Sequence, residues 1–235
     1  MGVFESMNLE DQEAKEFTEV AEEQVVELPE ETAEQRAEHV HTEQLMEEDI
    51  KIPKDRVAVL IGSGGVTKAL LEKKTECKIQ VNSDDGLVEM SSHDALKLFD
   101  CKDIVLAIGR GFNPKIALKL LIEENSLDII RLRDLVGGNQ KQLERIRSRV
   151  IGREGKVRRE IERLTDCDIA VYGKTVSILG DSLKVSICHR AVEMLLTGAM
   201  HKTVYTFLEK EEQKERLAKD QVKLSELQAK KEDDN

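Results

Sequence analysis

The segment "LIGSGGVTKALLEKKTECKIQV" at residues 60–81 recurs in altered form as "VIGREGKVRREIERLTDCDIAV" at residues 150–171. A bare Gly-x-x-Gly is common, but two copies in matched contexts indicate an internal duplication. Two copies are too few for a solenoid, so the sequence predicts two tandem domains. The identical pairs are Ile61/Ile151, Gly62/Gly152, Gly65/Gly155, Glu72/Glu162, Thr75/Thr165, Cys77/Cys167, Ile79/Ile169 and Val81/Val171.

The same order of elements flanks both glycine loops. In the first copy the pattern predicts a strand at 49–53, helices at 54–62 and 66–76, strands at 77–83 and 87–91, and helices over about 100–109 and 114–124. In the second copy it predicts a strand at 127–132, a break at Gly137–Gly138, helices at 139–152 and 156–166, strands at 167–173 and 175–181, and a helix at 182–198. Asn139 is the expected N-cap of its helix. Each copy therefore follows the order β-α-α-β-β-α.

A helix–Gly-x-x-Gly–helix turn suits a phosphate ligand. Glycine accepts left-handed dihedrals and lacks a Cβ, and the loop opens a helix whose free N–H groups favour an anion. Neither loop has a P-loop or Rossmann pattern. A helix before each loop and a hairpin after the next helix are typical of a KH domain, which clamps about four unpaired nucleotides. The predicted fold class is α/β (α+β), with two tandem type I KH domains.

The second loop carries the cations that a nucleic-acid clamp needs. Phosphates would be drawn to it, and binding should weaken with salt. Arg147, Arg149 and Arg163 lie near it in sequence, and Ile151, Ile169 and Val171 are expected to form an apolar floor under the bases. The predicted RNA-binding residues are Ile151, Gly152, Arg153, Glu154, Gly155, Lys156, Arg158, Arg159 and Ile169.

The first loop keeps both glycines but has fewer cations beside it. Its candidate RNA-binding residues are Gly62, Ser63, Gly64, Gly65 and Lys68. Ser63 and Gly64 stand where the second loop has Arg153 and Glu154. We expect the first domain to bind RNA weakly or to serve as a packing partner.

Charge is distributed unevenly along the chain. The net charge of the 235 residues is −11, yet residues 1–50 carry 17 acidic and 2 basic side chains, and residues 131–163 carry 11 basic and 5 acidic ones. The predicted organisation is a disordered acidic arm at 1–47, domains at 48–125 and 126–200, and a charged helical tail at 201–235. The arm is interpreted as a solubilising tail. The alternative is that it occupies a basic surface until RNA displaces it.

Catalytic, metal and membrane functions find no support in the sequence. The five His residues are scattered, no nucleophile–base constellation is present, and the four Cys include no C-x-x-C. These cysteines are interpreted as buried, reduced thiols. No apolar run approaches a membrane span, and the start of the chain has no signal-peptide pattern. We predict a non-enzyme without metal or cofactor.

Three stretches together resemble a known family. They are "RVAVLIGSGGVTKALLEKKTECKIQV" (56–81), "LAIGRGFNPKIALKLL" (106–121) and "RSRVIGREGKVRREIERLTDCDIAVYG" (147–173). They resemble the archaeal two-KH-domain ribosome-assembly proteins, counterparts of the eukaryotic partner-of-Nob-one (Dim-two) factor. The resemblance covers about residues 49–200, and "GRGFNP" at 109–114 is its most specific part. Lys68 and Arg158 stand where most KH domains have an apolar residue, which resembles this family's version.

The resemblance implies a cytoplasmic factor that binds single-stranded RNA near the 3′ end of small-subunit ribosomal RNA. It would assist maturation by presenting the cleavage site to a partner endonuclease. It also implies the alpha subunit of translation initiation factor two as a partner. The alternative is a protein-interaction scaffold that links initiation or nuclease partners, with RNA contact secondary.

Overall fold

Two antiparallel three-stranded sheets, each packed against helices, confirm the predicted fold class. The computed structural model describes residues 45–136 and 139–233. Residues 1–44 of the predicted arm and the predicted break at Gly137–Gly138 lie outside these ranges. Met46 and Glu47, which the sequence pattern assigned to the arm, are instead the first residues of a strand and pair with Ser92 and Ser91.

The first domain has the predicted β-α-α-β-β-α order, with the strands arranged β1-β3-β2. Its third helix begins earlier than predicted, because Asp94 caps it by accepting the N–H groups of Leu96 and Lys97. The elements are β1 (Met46–Lys51), α1 (Lys54–Ile61), a 3₁₀ turn (Ser63–Gly65), α2 (Val66–Thr75), β2 (Lys78–Val81), β3 (Leu87–Ser92) and α3 (Ala95–Gly109).

The segment that connects the two domains contains less α-helix than predicted. Only α4 (Pro114–Ala117) and a 3₁₀ turn (Leu118–Leu121) form, and β4 already begins at Asn125. The Asn125 side chain donates to the Lys119 carbonyl at 2.7 Å and so satisfies the end of the turn. The predicted helix over 114–124 therefore ends three residues early, at Leu121, and its second half is a 3₁₀ turn.

The second domain repeats the topology, with strand order β4-β6-β5. Asn139 caps α6 as predicted, accepting from the N–H groups of Lys141 and Gln142. A short helix, α5, follows the first strand and was not predicted. The elements are β4 (Asn125–Arg131), α5 (Leu132–Val136), α6 (Gln140–Ile151), a 3₁₀ turn (Arg153–Gly155), α7 (Lys156–Thr165), β5 (Asp168–Tyr172), β6 (Thr175–Asp181), α8 (Ser182–Leu196) and α9 (His201–Asp233).

The helical tail is α9, and its first turns belong to the second domain's core. Val204 and Leu208 are fully buried there beside residues of α6, α7 and α8. Phe207 lies under the guanidinium of Arg190, with 5.1 Å between Cζ and the ring centroid. Burial of these side chains fixes the direction in which α9 leaves the domain.

The outer face of the second sheet packs against the first domain. Ala170 and Leu179 belong to the first domain's core cluster. At the end of β5, the Tyr172 hydroxyl donates to the carboxylate of Asp55, and the Arg56 guanidinium lies 5.8 Å from the Tyr172 ring centroid. Burial and the Asp55 contact raise the pKa of Tyr172. The two glycine loops are therefore carried by one packed body.

Candidate nucleic-acid interface

The two glycine loops share one backbone conformation. Gly62 and Gly152 have φ/ψ of 73°/175° and 72°/177°, and Gly65 and Gly155 have 81°/7° and 76°/13°. Glu154 adopts the left-handed region (φ 54°), as does Gly64 (φ 60°) at the equivalent position. No side chain caps α2 or α7. Both loops thus present the start of a helix to a ligand.

The two glycines of the second loop have different roles. A Cβ at Gly152 would lie 2.3 Å from Cγ2 of Val157, which packs in the core. A Cβ at Gly155 would meet only the flexible end of Arg159, whose Nη1 is 3.2 Å away. The first glycine therefore allows the two helices to pack closely, whereas the second lies open to an approaching ligand.

Three predicted cations of the second loop are exposed and unpaired. Arg153, Lys156 and Arg159 form no ion pair or hydrogen bond within the part of the chain that the structure describes. Arg147, one helical turn before Ile151, has a buried Nε without a hydrogen-bond partner. Unpaired cations beside a helix start form a site of positive potential for a phosphate backbone.

Lys68 and Arg158 are not free cations. The Lys68 Nζ lies 3.7 Å from Glu72 Oε1, and the Arg158 Nε lies 3.6 Å from Glu162 Oε1. Each glutamate also accepts the N–H of a strand isoleucine, Ile79 at 2.9 Å and Ile169 at 3.0 Å. Burial raises the pKa of Glu162, although this hydrogen bond and Arg158 oppose the shift. The phosphate-clamp role predicted for Lys68 and Arg158 therefore competes with this internal pairing.

Two nearby arginines that the sequence placed around the loop are occupied elsewhere. Arg149 donates to the carbonyl oxygens of Leu195 and Ala199. Arg163 donates to Glu160 at 2.7 Å, which lowers the pKa of that carboxyl. The cationic surface of the second loop is therefore smaller than the count of basic residues indicates.

The apolar floor is formed unevenly. Ile151 and Val171 are half-buried at the edges of α6 and β5, whereas Ile169 has only 4% of its surface exposed. Strand alternation directs Ile169 into the second domain's core. Ile169 therefore packs beneath the predicted apolar floor, whereas Ile151 has surface that a ligand can reach.

Known families match both halves of the chain. Residues 126–213 match the eukaryotic type KH-domain (KH-domain type I), and residues 47–107 match the KH domain. A KH domain-containing protein of Methanocaldococcus jannaschii is 47% identical over 171 residues, which cover 71% of this chain and 74% of that protein. Dim2p from Pyrococcus horikoshii OT3 is 45% identical with a TM-score of 0.66, over 70% of this chain and 99% of that one. The chain belongs to the Dim2 family.

Two further solved structures are similar to the chain. The crystal structure of an a/eIF2alpha–aDim2p–rRNA complex from Pyrococcus horikoshii OT3 contains a chain that is 43% identical, with a TM-score of 0.68, over 73% of this chain and 96% of that one. A protein of unknown function from Aeropyrum pernix is 33% identical with a TM-score of 0.71, over 76% of this chain and 96% of that one. This Dim2-family chain is a KH-domain RNA-binding protein.

The first loop of this Dim2-family chain has a different surface from the second. Where α7 carries Lys156 and Glu160, α2 carries Val66 and Leu70, which are 68% and 41% exposed. Apolar side chains one turn apart on an exposed helix face are unsuited to a phosphate backbone. Within residues 45–136 and 139–233, no helix is long and apolar enough to cross a membrane.

Several residues that shape this Dim2-family interface were not predicted. Glu72 and Glu162 each accept the N–H of an isoleucine in the strand that follows their helix. The sequence signal for them was that glutamate occupies the same position in both copies of the repeat. Tyr172 and Asp55 join β5 of the second domain to α1 of the first. No sequence pattern marks that pair, because the two residues meet only through the packing of separate domains.

Proposed function

We propose that this chain is a ribosome-assembly factor that binds single-stranded RNA near the 3′ end of small-subunit ribosomal RNA. The observation that carries the proposal is the set of three exposed, unpaired cations, Arg153, Lys156 and Arg159, at the second glycine loop. A related Dim2p is known in complex with rRNA, which supports the choice of RNA.

The geometry supports contact with the phosphate backbone of the RNA more than contact with its bases. Gly155 leaves room for a phosphate at the start of α7, and Arg153 and Lys156 neutralise it. Ile151 offers the apolar surface next to this position. The loop would hold the RNA in the cytoplasm for cleavage by a partner endonuclease, and the protein itself would contribute no catalytic group.

The test compares the same substitution in the two loops. Binding of a short RNA matching the small-subunit 3′ end, and of a scrambled RNA, is measured for the unmodified chain, Gly155→Asp and Gly65→Asp. Both glycines have left-handed dihedrals and neither Cβ would meet main-chain atoms, so the backbone strain is matched. We expect Gly155→Asp to weaken binding at least tenfold and Gly65→Asp to have little effect.

Each outcome has a distinct meaning. Preference for the matching RNA that is lost in Gly155→Asp supports the assembly role through the second loop. Equal binding of the two RNAs contradicts recognition of the 3′ end. Unchanged affinity in both variants contradicts the loop as the binding site altogether.

The second candidate function is a protein scaffold, and the exposed Val66 and Leu70 favour it for the first domain. The partner would be the alpha subunit of translation initiation factor two, since a/eIF2alpha is present in the complex of the related Dim2p. Capture of that subunit after nuclease treatment, lost in Val66→Ser/Leu70→Ser and kept in Gly155→Asp, would support it. Capture that depends on RNA would exclude it.

A further inference from the structure

Helix α3 of the first domain has an apolar strip on its exposed side. Leu96 and Phe99 are 78% and 61% exposed. Because they are three residues apart, their side chains lie next to each other on one face of the helix. Neither belongs to the core cluster of the first domain. A single exposed leucine is ordinary, but an exposed phenylalanine beside one is an apolar surface of the kind found at interaction sites.

The same face of α3 continues into two carboxylates. Asp100 and Asp103 lie four and seven residues after Leu96 and therefore extend the strip along the helix. Within the part of the chain that the structure describes, neither carboxylate forms an ion pair or a hydrogen bond. Both residues are half-buried. Burial raises the pKa of both side chains, because water solvates their charge incompletely.

The lysines of α3 are engaged elsewhere and do not neutralise this face. Lys97 Nζ lies 2.5 Å from Oε2 of Glu76, which follows α2. Lys102 Nζ lies 2.9 Å from Oε2 of Glu48 in β1. Although Lys102 opposes the rise in the pKa of Asp103, its ammonium is held by Glu48. Helix α3 thus presents apolar surface next to negative charge that has no ion-pair partner among the described residues.

The equivalent helix of the second domain lacks this combination. Helices α3 and α8 are both 15 residues long, and each begins after a capping aspartate. Counted from these caps, Ser186 of α8 stands at the position of Phe99. Arg190 stands at the position of Asp103, and its guanidinium already contacts the Phe207 ring of α9. The fold therefore does not require the apolar and acidic side chains that α3 has at these positions.

We propose that the α3 face formed by Leu96, Phe99, Asp100 and Asp103 is a docking site for a basic amphipathic helix of a partner protein. Charge complementarity selects this occupant, because Lys or Arg side chains would compensate the two carboxylates. The helical spacing of the four residues suits a second helix laid against α3, whose apolar face would cover Leu96 and Phe99. A nucleic-acid backbone does not fit, since the carboxylates would repel its phosphates.

The two kinds of side chain would contribute differently to docking. Burial of Leu96 and Phe99 would supply most of the affinity, because apolar side chains that lose water at the centre of an interface dominate binding. Asp100 and Asp103 would orient the partner helix and speed its association, an effect that salt screens. The α3 face contains none of the residues proposed above to bind RNA or the initiation factor. This site therefore goes beyond the proposed function.

The experiment titrates the full-length chain into a fluorescent peptide of about 18 residues, or five helical turns, with leucines along one face and lysines on both flanks. A second peptide has the same composition but spreads the leucines around the helix. We expect the amphipathic peptide to bind at least tenfold more tightly than the scrambled one. Amide NMR shifts of the unmodified chain should change along α3, which locates the site without any substitution.

Two double variants test the two parts of the α3 face. Leu96→Ser/Phe99→Ser removes the apolar strip and should weaken binding of the amphipathic peptide at least tenfold. Asp100→Lys/Asp103→Lys reverses the charge and should weaken it by at least as much at low salt. All four side chains are at least partly exposed, so both variants should keep the thermal unfolding midpoint of the unmodified chain. The affinity of Leu96→Ser/Phe99→Ser for RNA should be unchanged.

Two control variants make the same changes elsewhere on the surface. Leu183→Ser removes the leucine that stands in α8 at the position of Leu96 and is 79% exposed. Asp49→Lys/Glu89→Lys changes the net charge as Asp100→Lys/Asp103→Lys does, but at paired strand residues on the side of the sheet away from α3. Both controls should change peptide affinity less than twofold.

Several results would each overturn the proposal. They are the absence of peptide binding, equal binding of the two peptides, equal losses in the test and control variants, and NMR shifts confined to residues outside α3. Self-association of the unmodified chain in sedimentation that is lost in Leu96→Ser/Phe99→Ser would show instead that a second copy covers the α3 face.

Discussion

Arg149 of α6 donates its Nη2 to the carbonyl oxygen of Ala199 over 2.5 Å, and its Nε donates to Leu195 over 3.1 Å. Arg56 of α1 makes the same pair of contacts in the first domain, with Ile108 and Phe112 at 2.8 and 2.6 Å. The acceptors occupy equivalent positions in the repeat, but the two arginines do not. Each domain therefore satisfies carbonyl oxygens at the end of α3 or α8 with an arginine from the helix that precedes its glycine loop.

Replacing Arg149 by Lys should destabilise the second domain. A lysine cannot donate from two fixed nitrogens, so one of the two half-buried carbonyls loses its partner. We expect the free energy of unfolding to fall by about 1–2 kcal/mol in chemical denaturation. Arg145→Lys, on an exposed face of the same helix, is the control and should change little. Equal losses for both variants would show that the two carbonyl contacts contribute nothing.

Glu162→Ala should destabilise the chain, because the Ile169 N–H would lose the carboxylate that it contacts at 3.0 Å. A loss of about 1–2 kcal/mol is expected from chemical denaturation. Glu162→Gln keeps a carbonyl acceptor and should lose less than half as much. If Glu162→Gln and Glu162→Ala lower the free energy of unfolding equally, the charge of Glu162 beside Arg158, and not its hydrogen bond, would be the stabilising feature.

Gly111→Ala should disturb the contact between the domains. Gly111 (φ +109°) faces Tyr172, whose Cβ would lie 2.8 Å from an added methyl, whereas Gly198 (φ +106°) has open space. Because the backbone strain is matched, Gly111→Ala should lower the free energy of unfolding by about 1–3 kcal/mol more than Gly198→Ala. Thermal and chemical denaturation of both variants measure the difference. Similar losses would mean that Tyr172 moves away freely.

RNA affinity should depend on salt through the free cations of the second loop. For single strands the slope of log K against log salt is about −0.7 for each phosphate neutralised. Arg153→Ala/Lys156→Ala should therefore reduce the slope by about 1.4, measured by titration at several salt concentrations. Lys73→Ala/Lys74→Ala removes two cations from the first domain and should leave the slope unchanged. The reverse result would place the RNA on the first domain.

The duplicated pattern was sufficient to predict the fold, but it did not predict where every helix and strand begins and ends. The glycine loops, the hairpins and the cap at Asn139 follow from local sequence, because dihedral preference and capping act within a few residues. The early start of α3 depends on Asp94, a cap that the periodicity of apolar residues does not reveal. The periodicity likewise does not reveal the 3₁₀ turn after α4, where the Asn125 side chain donates to the Lys119 carbonyl.

Sequence alone determined that two glycine loops open two helices and that basic residues cluster around the second. Which of those cations remain available was decided by tertiary structure. Arg149 is held by carbonyls of the α8–α9 turn, and Arg158 lies beside Glu162, whereas Arg153 and Lys156 remain exposed. The physical reason is that a basic side chain pairs with whichever carbonyl or carboxylate oxygen the packing brings near it. Such acceptors come from distant parts of the chain, as Ala199 does for Arg149.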